Sequence, residues 1–530
     1  MRLVTDKFWI RVYFFFVLLM CSFNYFGQSL SFAYVQGYFG VSFQDANWLL
    51  RGFHAGTIIT GIAGLVFIKW LGTRWLFIGA ALFFLLATIV SFKADDFTTL
   101  LTSRIAAGIA NGFMIAVATQ LFLATYAAKE KTIGALFTVA ANIAGLSVSL
   151  IANAVFTEDF GWQFTYYLSL PVLLLVIIVA FFFVPVTEKN EEIEDDWISL
   201  IPFSILIMAI LFAFMYRQQY QGISHPKILV SLIVIVISGA ALLIRGATHK
   251  KPLFDTRLLQ YPTFSIAFII SFLTGVLFVF TLTMLAKLLG GILQMPMKDI
   301  FHFVNFLALV IFISVIVSFI MIVKKVSAYW IMITGLGCVA FAAYSFSLLN
   351  TEFSFNNIVT PSLIGMMGAG MLALSVIIIA IKSVPPQQIG KVANFRSVAF
   401  LMGIAITAVD SGRLVDWGRV ENFNSMLRYA DPSNPFFQER FNMLQSFYSS
   451  KGYDADAAYQ AAVNGMTGMI KLQAFFKSMS QLYHTAVIVC LALIVVIFIL
   501  WVLQNYRMLI DFFTFKNKTN ENAKAVSPKT

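Results

Sequence analysis

Charge is what this chain has least of. Lys, Arg, Asp and Glu make up 12% of its 530 residues, about half the roughly 25% of a soluble domain. A soluble protein of this length needs far more polar surface, so that class is excluded. Cysteine is scarce as well. Cys21, Cys338 and Cys490 all lie inside apolar runs, and their spacing fits neither a metal site nor a disulfide framework. No zinc finger, RNA-binding signature or basic helix is present, so the net charge of +11 does not point to nucleic acid. Lys and Arg fall instead in short segments between apolar runs, where they set topology and meet anionic lipid. The N-terminus carries Arg2, Lys7 and Arg11 ahead of an apolar stretch. No small-residue cleavage site follows and the stretch is long enough to span, so it reads as a first helix.

Apolar residues, by contrast, make up 60% of the chain, enough to fill at most ~16 spans of ~20 residues. Runs of that kind fall near 11–33, 46–68, 74–92, 99–124, 132–156, 164–184, 197–216 and 226–245. They continue near 262–289, 297–323, 328–349, 356–382, 390–412 and 482–503. Transmembrane β-strands would be about half as long and would alternate in polarity. The expectation is an all-α polytopic membrane protein with 14 transmembrane helices. With the N-terminus inside, the inner segments hold 21 Lys and Arg and the short outer loops hold 5. That asymmetry places both termini in the cytoplasm.

One segment breaks the pattern of short loops. Residues 413–481 are polar and fall outside between the last two spans. They read as two or three amphipathic helices, clearest at Gln438 to Ser449 and Ala455 to Gln473. A turn is expected at Asp431-Pro432-Ser433-Asn434-Pro435. The segment is either a cap on the outer mouth or a docking surface for an extracytoplasmic partner. The acidic stretch Glu188–Asp196 reads as a solvated linker after the sixth span.

Several local patterns occur in an ordered series from about residue 20 to 505. Asn47-Trp48-Leu49-Leu50 opens the second span, and Arg104-Ile105-Ala106-Ala107-Gly108 lies in the fourth. Trp162-Gln163-Phe164-Thr165-Tyr166-Tyr167-Leu168-Ser169-Leu170-Pro171 opens the sixth. Pro252-Leu253-Phe254-Asp255 precedes the ninth, and Pro385-Pro386 with Gly390 precedes the thirteenth. The set resembles the fourteen-span drug:proton antiporters (EmrB/QacA-like) of the major facilitator superfamily. Their corresponding motifs are T-W-V-x, R-x-x-Q-G, W-R-W-I-F-L-I-N-V-P and P-L-x-D.

The resemblance implies a six-helix N-terminal half over 1–187, a linker over 188–196, and two additional helices over 197–251. A C-terminal half then covers 252–505, including the loop 413–481, and a tail covers 506–530. The halves would face a central cavity and rock to alternate its access. No cofactor is implied; the energy source would be the proton gradient. Expected partners are the bilayer and small lipophilic substrates. If an outer membrane is present, a periplasmic membrane-fusion adaptor leading to an outer-membrane channel would meet the long loop.

Arg104 carries the most weight among the candidate residues. A guanidinium within a span stays ionised and must face a cavity or a carboxylate, and the resemblance assigns it a role in proton coupling. The alternative is a packing arginine that snorkels to the outer surface. Arg51 and His54, three apart, share a helix face, and an imidazole titrates near neutral pH; His54 is either a coupling group or a packed, hydrogen-bonded residue. Asp410, with Arg413 one turn on, is either a proton-titrating carboxylate or half of an interfacial ion pair. Asn24, Gln28, Asn111 and Gln120 supply uncharged polar groups in the first and fourth spans. Such groups are costly in lipid without partners, so they line a cavity or tie helices together. Asn142 and Asn153 pose the same choice in the fifth span.

The pattern also departs from the family's. Asn24 stands where an Asp is usual in L-D-x-T-I, and Lys69 stands where the loop after the second span usually has Asp. The fifth-span G-P-x-x-G-G is reduced to Ser149-Leu150-Ile151-Ala152-Asn153-Ala154. No Asp or Glu lies near the middle of any span. The leading expectation is secondary export of amphipathic drugs or other lipophilic compounds, with proton entry as the driving force. The alternatives are a dedicated single-metabolite transporter and a proton-independent facilitator. An enzyme is not expected: Asp416, Glu421 and Asp431 in the outer loop lie in no catalytic spacing.

Overall fold

A computed structural model describes residues 7–127, 130–186, 196–217, 219–220, 224–254, 256–382, 389–431 and 433–525. The linker residues 188–195, Asp255, Pro385-Pro386 and residues 526–530 lie outside that set, as do the side chains of Gln28, Asp410 and Arg413.

The described residues are helical, without strands. In order the helices are α1 Lys7–Phe26, α2 Gln28–Phe39, α3 Phe43–Leu71, α4 Thr73–Phe92, α5 Phe97–Ala124, α6 Lys131–Phe160, α7 Phe164–Phe183 and α8 Leu200–Tyr216. They continue with α9 Pro226–Thr248, α10 Pro262–Ala286, α11 Met297–Val323, α12 Ala328–Ser347, α13 Phe355–Lys382, α14 Ile389–Leu427, α15 Pro435–Ser450 and α16 Ala455–Ala525. Thirteen helices among the described residues are long and apolar enough to cross a membrane, and the run Val398–Thr407 within α14 is a shorter apolar helix. All fourteen apolar runs read from the sequence therefore lie in helices. The first is divided at Gly27 into α1 and α2.

Local chemistry sets the helix ends. Ser42 caps α3 by accepting from the Asp45 amide at 3.1 Å, and Asp96 caps α5 by accepting from the Thr99 amide at 2.8 Å. Both satisfy amides the first turn leaves unpaired. Proline occupies the first position of α9, α10 and α15, where its missing amide costs nothing.

α3 packs on α5, α4 on α5 and α7, and α1 on α6; α10 packs on α14, α12 on α13 and α16, and α11 on α13. The two groups meet where α6 lies against α11 and α3 against α14. α8 rests on α3 and α14, tied to α3 by a hydrogen bond from Trp48 Nε1 to the Tyr216 hydroxyl (2.9 Å). α9 covers α8 and turns Val230, Val236 and Ile237 outward, as expected of a lipid-facing helix.

The polar segment 413–481 is helical where expected, at Pro435–Ser450 and from Ala455, but its outer parts are continuous with the flanking spans rather than separate loop helices. α14 runs unbroken from its apolar part to Leu427, and α16 begins at Ala455 and continues through the last apolar run. At 1.5 Å per residue the 39-residue α14 is about 58 Å long, roughly twice the ~30 Å of a bilayer core. Nothing between Gln473 and Gln481 breaks a helix, which is why no boundary forms there. The expected turn before α15 is present: the Ser433 amide donates to Asp431 Oδ1 at 2.8 Å. Asp196, read as part of a solvated linker, is buried instead; it faces the end of α9.

Candidate functional site

The site begins with a close helix crossing. Gly108 follows Arg104 by one turn on the same face of α5. A Cβ at Gly108 would stand 2.3 Å from the Phe53 carbonyl oxygen of α3, so only glycine permits this approach. Small residues at such seams let membrane helices pack backbone to backbone. The approach brings Arg104 onto the Phe53 ring, with Cζ 4.4 Å from its centroid; the Tyr166 ring of α7 lies 5.1 Å away. Arg104 is 0% exposed, and its three guanidinium nitrogens have no hydrogen-bond partner among the described residues. Of the surroundings expected from the sequence, no carboxylate among the described residues pairs with it, and it is not part of the wall of the cavity between the two helix groups. It does not snorkel to the surface either. Two ring faces hold it, an arrangement worth about 2 kcal/mol per desolvated contact.

Arg51 and His54, one turn apart on α3, are buried beside this pair. The His54 ring stacks on Tyr25 of α1 at 4.0 Å and 14°, and its Nε2 lies 3.3 Å from the Tyr25 carbonyl oxygen. Arg51 acts electrostatically on both Tyr25 and His54, and Arg104 on His54. Tyr25 thus has two neighbourhoods: this buried cationic cluster behind it, and a cavity before it.

That cavity lies between α1, α5 and α6 on one side and α10, α11, α13 and α14 on the other. Its wall is apolar apart from hydroxyls such as Ser22, Thr119, Thr138 and Thr274, the amide of Asn142, and the guanidinium of Arg396. Asn142 is held in place by the Ser22 hydroxyl, which donates to its Oδ1 at 2.8 Å. The other uncharged candidates sit elsewhere. Asn24 ties helices: its Nδ2 donates to the Met20 carbonyl at 3.1 Å, and its Oδ1 accepts from the Ser169 hydroxyl of α7 at 3.0 Å. Asn111 is buried in the α3–α5 seam, its Nδ2 3.4 Å from Thr57 Oγ1. Gln120 is exposed near the end of α5 and does not line the cavity. Asn153 donates to the Ser149 carbonyl within α6 at 2.8 Å. A polar group in a span must find a partner, and for these three asparagines that partner is protein rather than cavity.

Sequence reasoning missed Arg396. The signal was available, since an arginine inside the apolar run 390–412 is as costly as Arg104. Tyr25, Phe53 and Tyr166 carried no signal of their own among 56 phenylalanines and 18 tyrosines.

A multi-pass helical bundle with a mostly apolar cavity between two groups of spans, and buried cations beside it, has the architecture of a membrane transporter. The Major Facilitator Superfamily model matches residues 14–408, and the chain belongs to that superfamily. It is 18% identical to the colistin resistance protein EmrB of Acinetobacter baumannii over 459 residues, 86% of this chain and 88% of that one. It is 25% identical to the lincomycin resistance protein LmrB of Bacillus subtilis over 216 residues, 40% of this chain and 44% of that one. This second match spans less than half of LmrB. Among solved structures, a peptide transporter POT in complex with alafosfalin superposes with a TM-score of 0.56 at 13% identity. The match covers 92% of this chain and 94% of that one, and shows a shared fold. The protein is thus a multi-pass membrane protein of a secondary transporter family.

Proposed function

We propose that the protein is a proton-coupled exporter of amphipathic, lipophilic compounds that works by alternating access. The observation that carries this reading is the fully buried guanidinium of Arg104, without a hydrogen-bond partner among the described residues, beside His54 and Arg51. A buried charge without a hydrogen-bonded partner costs several kcal/mol, and an arginine cannot shed its proton to escape that cost. Protonating His54 in the same place would crowd three positive charges into a buried seam. Opening the seam to water or to a carboxylate relieves both costs together, so proton uptake and helix movement favour one another. Asp410 and His54 are the proposed titrating groups, with Arg104 and Arg51 setting the field around His54.

The charge distribution of the flanks supports a cytoplasmic placement of both termini. The cavity residues Thr119, Thr138 and Arg396 lie toward the ends of α5, α6 and α14 nearest that face. In this reading the bundle is caught with its cavity toward the cytoplasm, where an exporter loads, and halves 1–187 and 252–505 rock to turn it outward. The drug-resistance relatives support export as the direction.

The test is dye transport in inverted vesicles under an imposed pH gradient, comparing wild type with Arg104→Ala. Gradient-driven accumulation that falls at least tenfold in the variant is expected. Accumulation indifferent to the gradient would replace this reading with a facilitator, and indifference to every lipophilic dye would replace it with a dedicated carrier.

The helical extension formed by the outer parts of α14 and α16 with α15 is the proposed seat of a periplasmic adaptor leading to an outer channel. Its tip exposes Tyr429, Phe436 and Met443. Deleting 428–454 is expected to leave vesicle transport intact and to abolish efflux across the whole envelope; loss of both would count against docking.

A further inference from the structure

The cavity has a sign. Arg396 is the only charged side chain among its described lining residues; every other polar group there is a neutral hydroxyl or amide. Behind its Tyr25 wall lie Arg51 and Arg104, both buried, and their field enters a low-dielectric space. A cationic amphipath would meet like charge and no described carboxylate. An anionic one would meet a guanidinium, which forms bidentate hydrogen bonds to carboxylate or phosphate-like groups.

The cavity also has a direction. Thr274, Phe278, Ala369 and Leu372 are shared with an adjacent, mostly apolar recess whose wall includes Phe280, Phe346 and Tyr483. Arg396 lies at the opposite end, near the start of α14. Phe26 and Phe400 flank the path between. A head group at one end and an apolar body along the rest is the shape of this space.

We propose that the cavity takes amphipathic organic anions, with the acidic head group on Arg396 and the apolar body in the recess beneath Phe346 and Tyr483. The proposal rests on this cavity being the transport path. Binding is measured on the full chain in phosphatidylcholine nanodiscs, with empty discs as baseline. The probes are dansyl-undecanoate, as a long anionic amphipath, and tritiated tetraphenylphosphonium, as a lipophilic cation. Wild type is expected to bind the anion at least tenfold more tightly than the cation. Arg396→Gln should lose at least tenfold in anion affinity, Arg396→Lys should retain part of it, and Arg396→Glu should reverse the preference. That reversal also shows the variant is folded. Ala369→Phe, at the junction of cavity and recess, should weaken dansyl-undecanoate but leave dansyl-glycine unchanged. Tighter binding of the cation by wild type, or an unchanged anion affinity in Arg396→Gln, would overturn the proposal. Because binding needs no gradient, anion binding without proton-driven transport would refute the exporter reading alone. Gradient-driven movement of cations only would refute this inference alone.

Discussion

Gly108→Leu is expected to remove the folded transporter from the membrane fraction. The new Cβ would sit 2.3 Å from the Phe53 carbonyl oxygen and 2.7 Å from Phe53 Cα. Both are backbone atoms of a long helix, so no side chain can swing aside. The helices must separate instead, and the cost reaches about 3 kcal/mol, the upper part of the range for overpacked cores. That is a large fraction of the 5–15 kcal/mol that holds a typical fold together. Any protein that survives would carry α5 displaced from α3 and Arg104 lifted off the Phe53 ring, so transport should fail there too. Gly403 occupies an equivalent place between α14 and α10, where a Cβ would stand 2.2 Å from the Phe272 carbonyl oxygen, and Gly403→Leu should behave alike. Gly79→Leu supplies the control, because nothing lies within 4 Å of its Cβ position. Size-exclusion profiles of the solubilised protein read all three. A sharp monodisperse peak for Gly108→Leu would contradict the role of the seam.

This seam also marks how far the sequence could be read. Span count and membrane class were legible because lipid forces about 20 consecutive apolar residues into a helix, and no tertiary contact is needed to see that. The Arg104-to-Gly108 spacing was legible as a unit on one helix face. What holds Arg104 was not legible, since Phe53 and Tyr166 come from α3 and α7 and look like any other aromatic residue in the chain. The neutral polar residues show the same limit from the other side. Asn24 and Asn142 are alike in sequence, an asparagine among apolar neighbours. Only the packing of α7 against α1 gives Asn24 its Ser169 partner, while the gap between helix groups leaves Asn142 facing the cavity. In the outer segment the helices at Gln438 to Ser449 and from Ala455 were legible, but their continuity with the spans was not. The segment's composition turns polar at the membrane surface, but helical hydrogen bonding ignores that boundary, so α14 and α16 pass through it without a break.

Asp196→Ala is expected to loosen the additional helix pair and lower the thermal midpoint of the whole bundle. Asp196 is 2% exposed and stands just before the turn that starts α8. Arg245, near the end of α9, donates from Nε to both carboxylate oxygens at 3.1 and 3.2 Å, and the Ser199 hydroxyl donates to Oδ2. The Asp196 amide reaches the Lys251 carbonyl oxygen at 3.3 Å. These bonds close α8 and α9 into a clasp at one end. Burial pushes the carboxyl toward the neutral form, but the hydrogen bonds from Arg245 and Ser199 and the charge of Arg245 outweigh it, so its pKa lies below the ordinary carboxylate value. Breaking a fully buried pair costs about 3–5 kcal/mol. Arg245 keeps 33% of its side chain exposed, so water screens the contact and about 2 kcal/mol is the better expectation. The sign of the pH dependence follows from the lowered pKa. The stabilisation is complete above the unfolded-state value of about 4 and is lost as the pH falls through the folded one. Wild type and Asp196→Asn should therefore differ in thermal midpoint by a constant amount from pH 8 to 5, and the gap should close only in stronger acid. A gap that closes near neutral pH would assign the titration to another group and sink the clasp as its source.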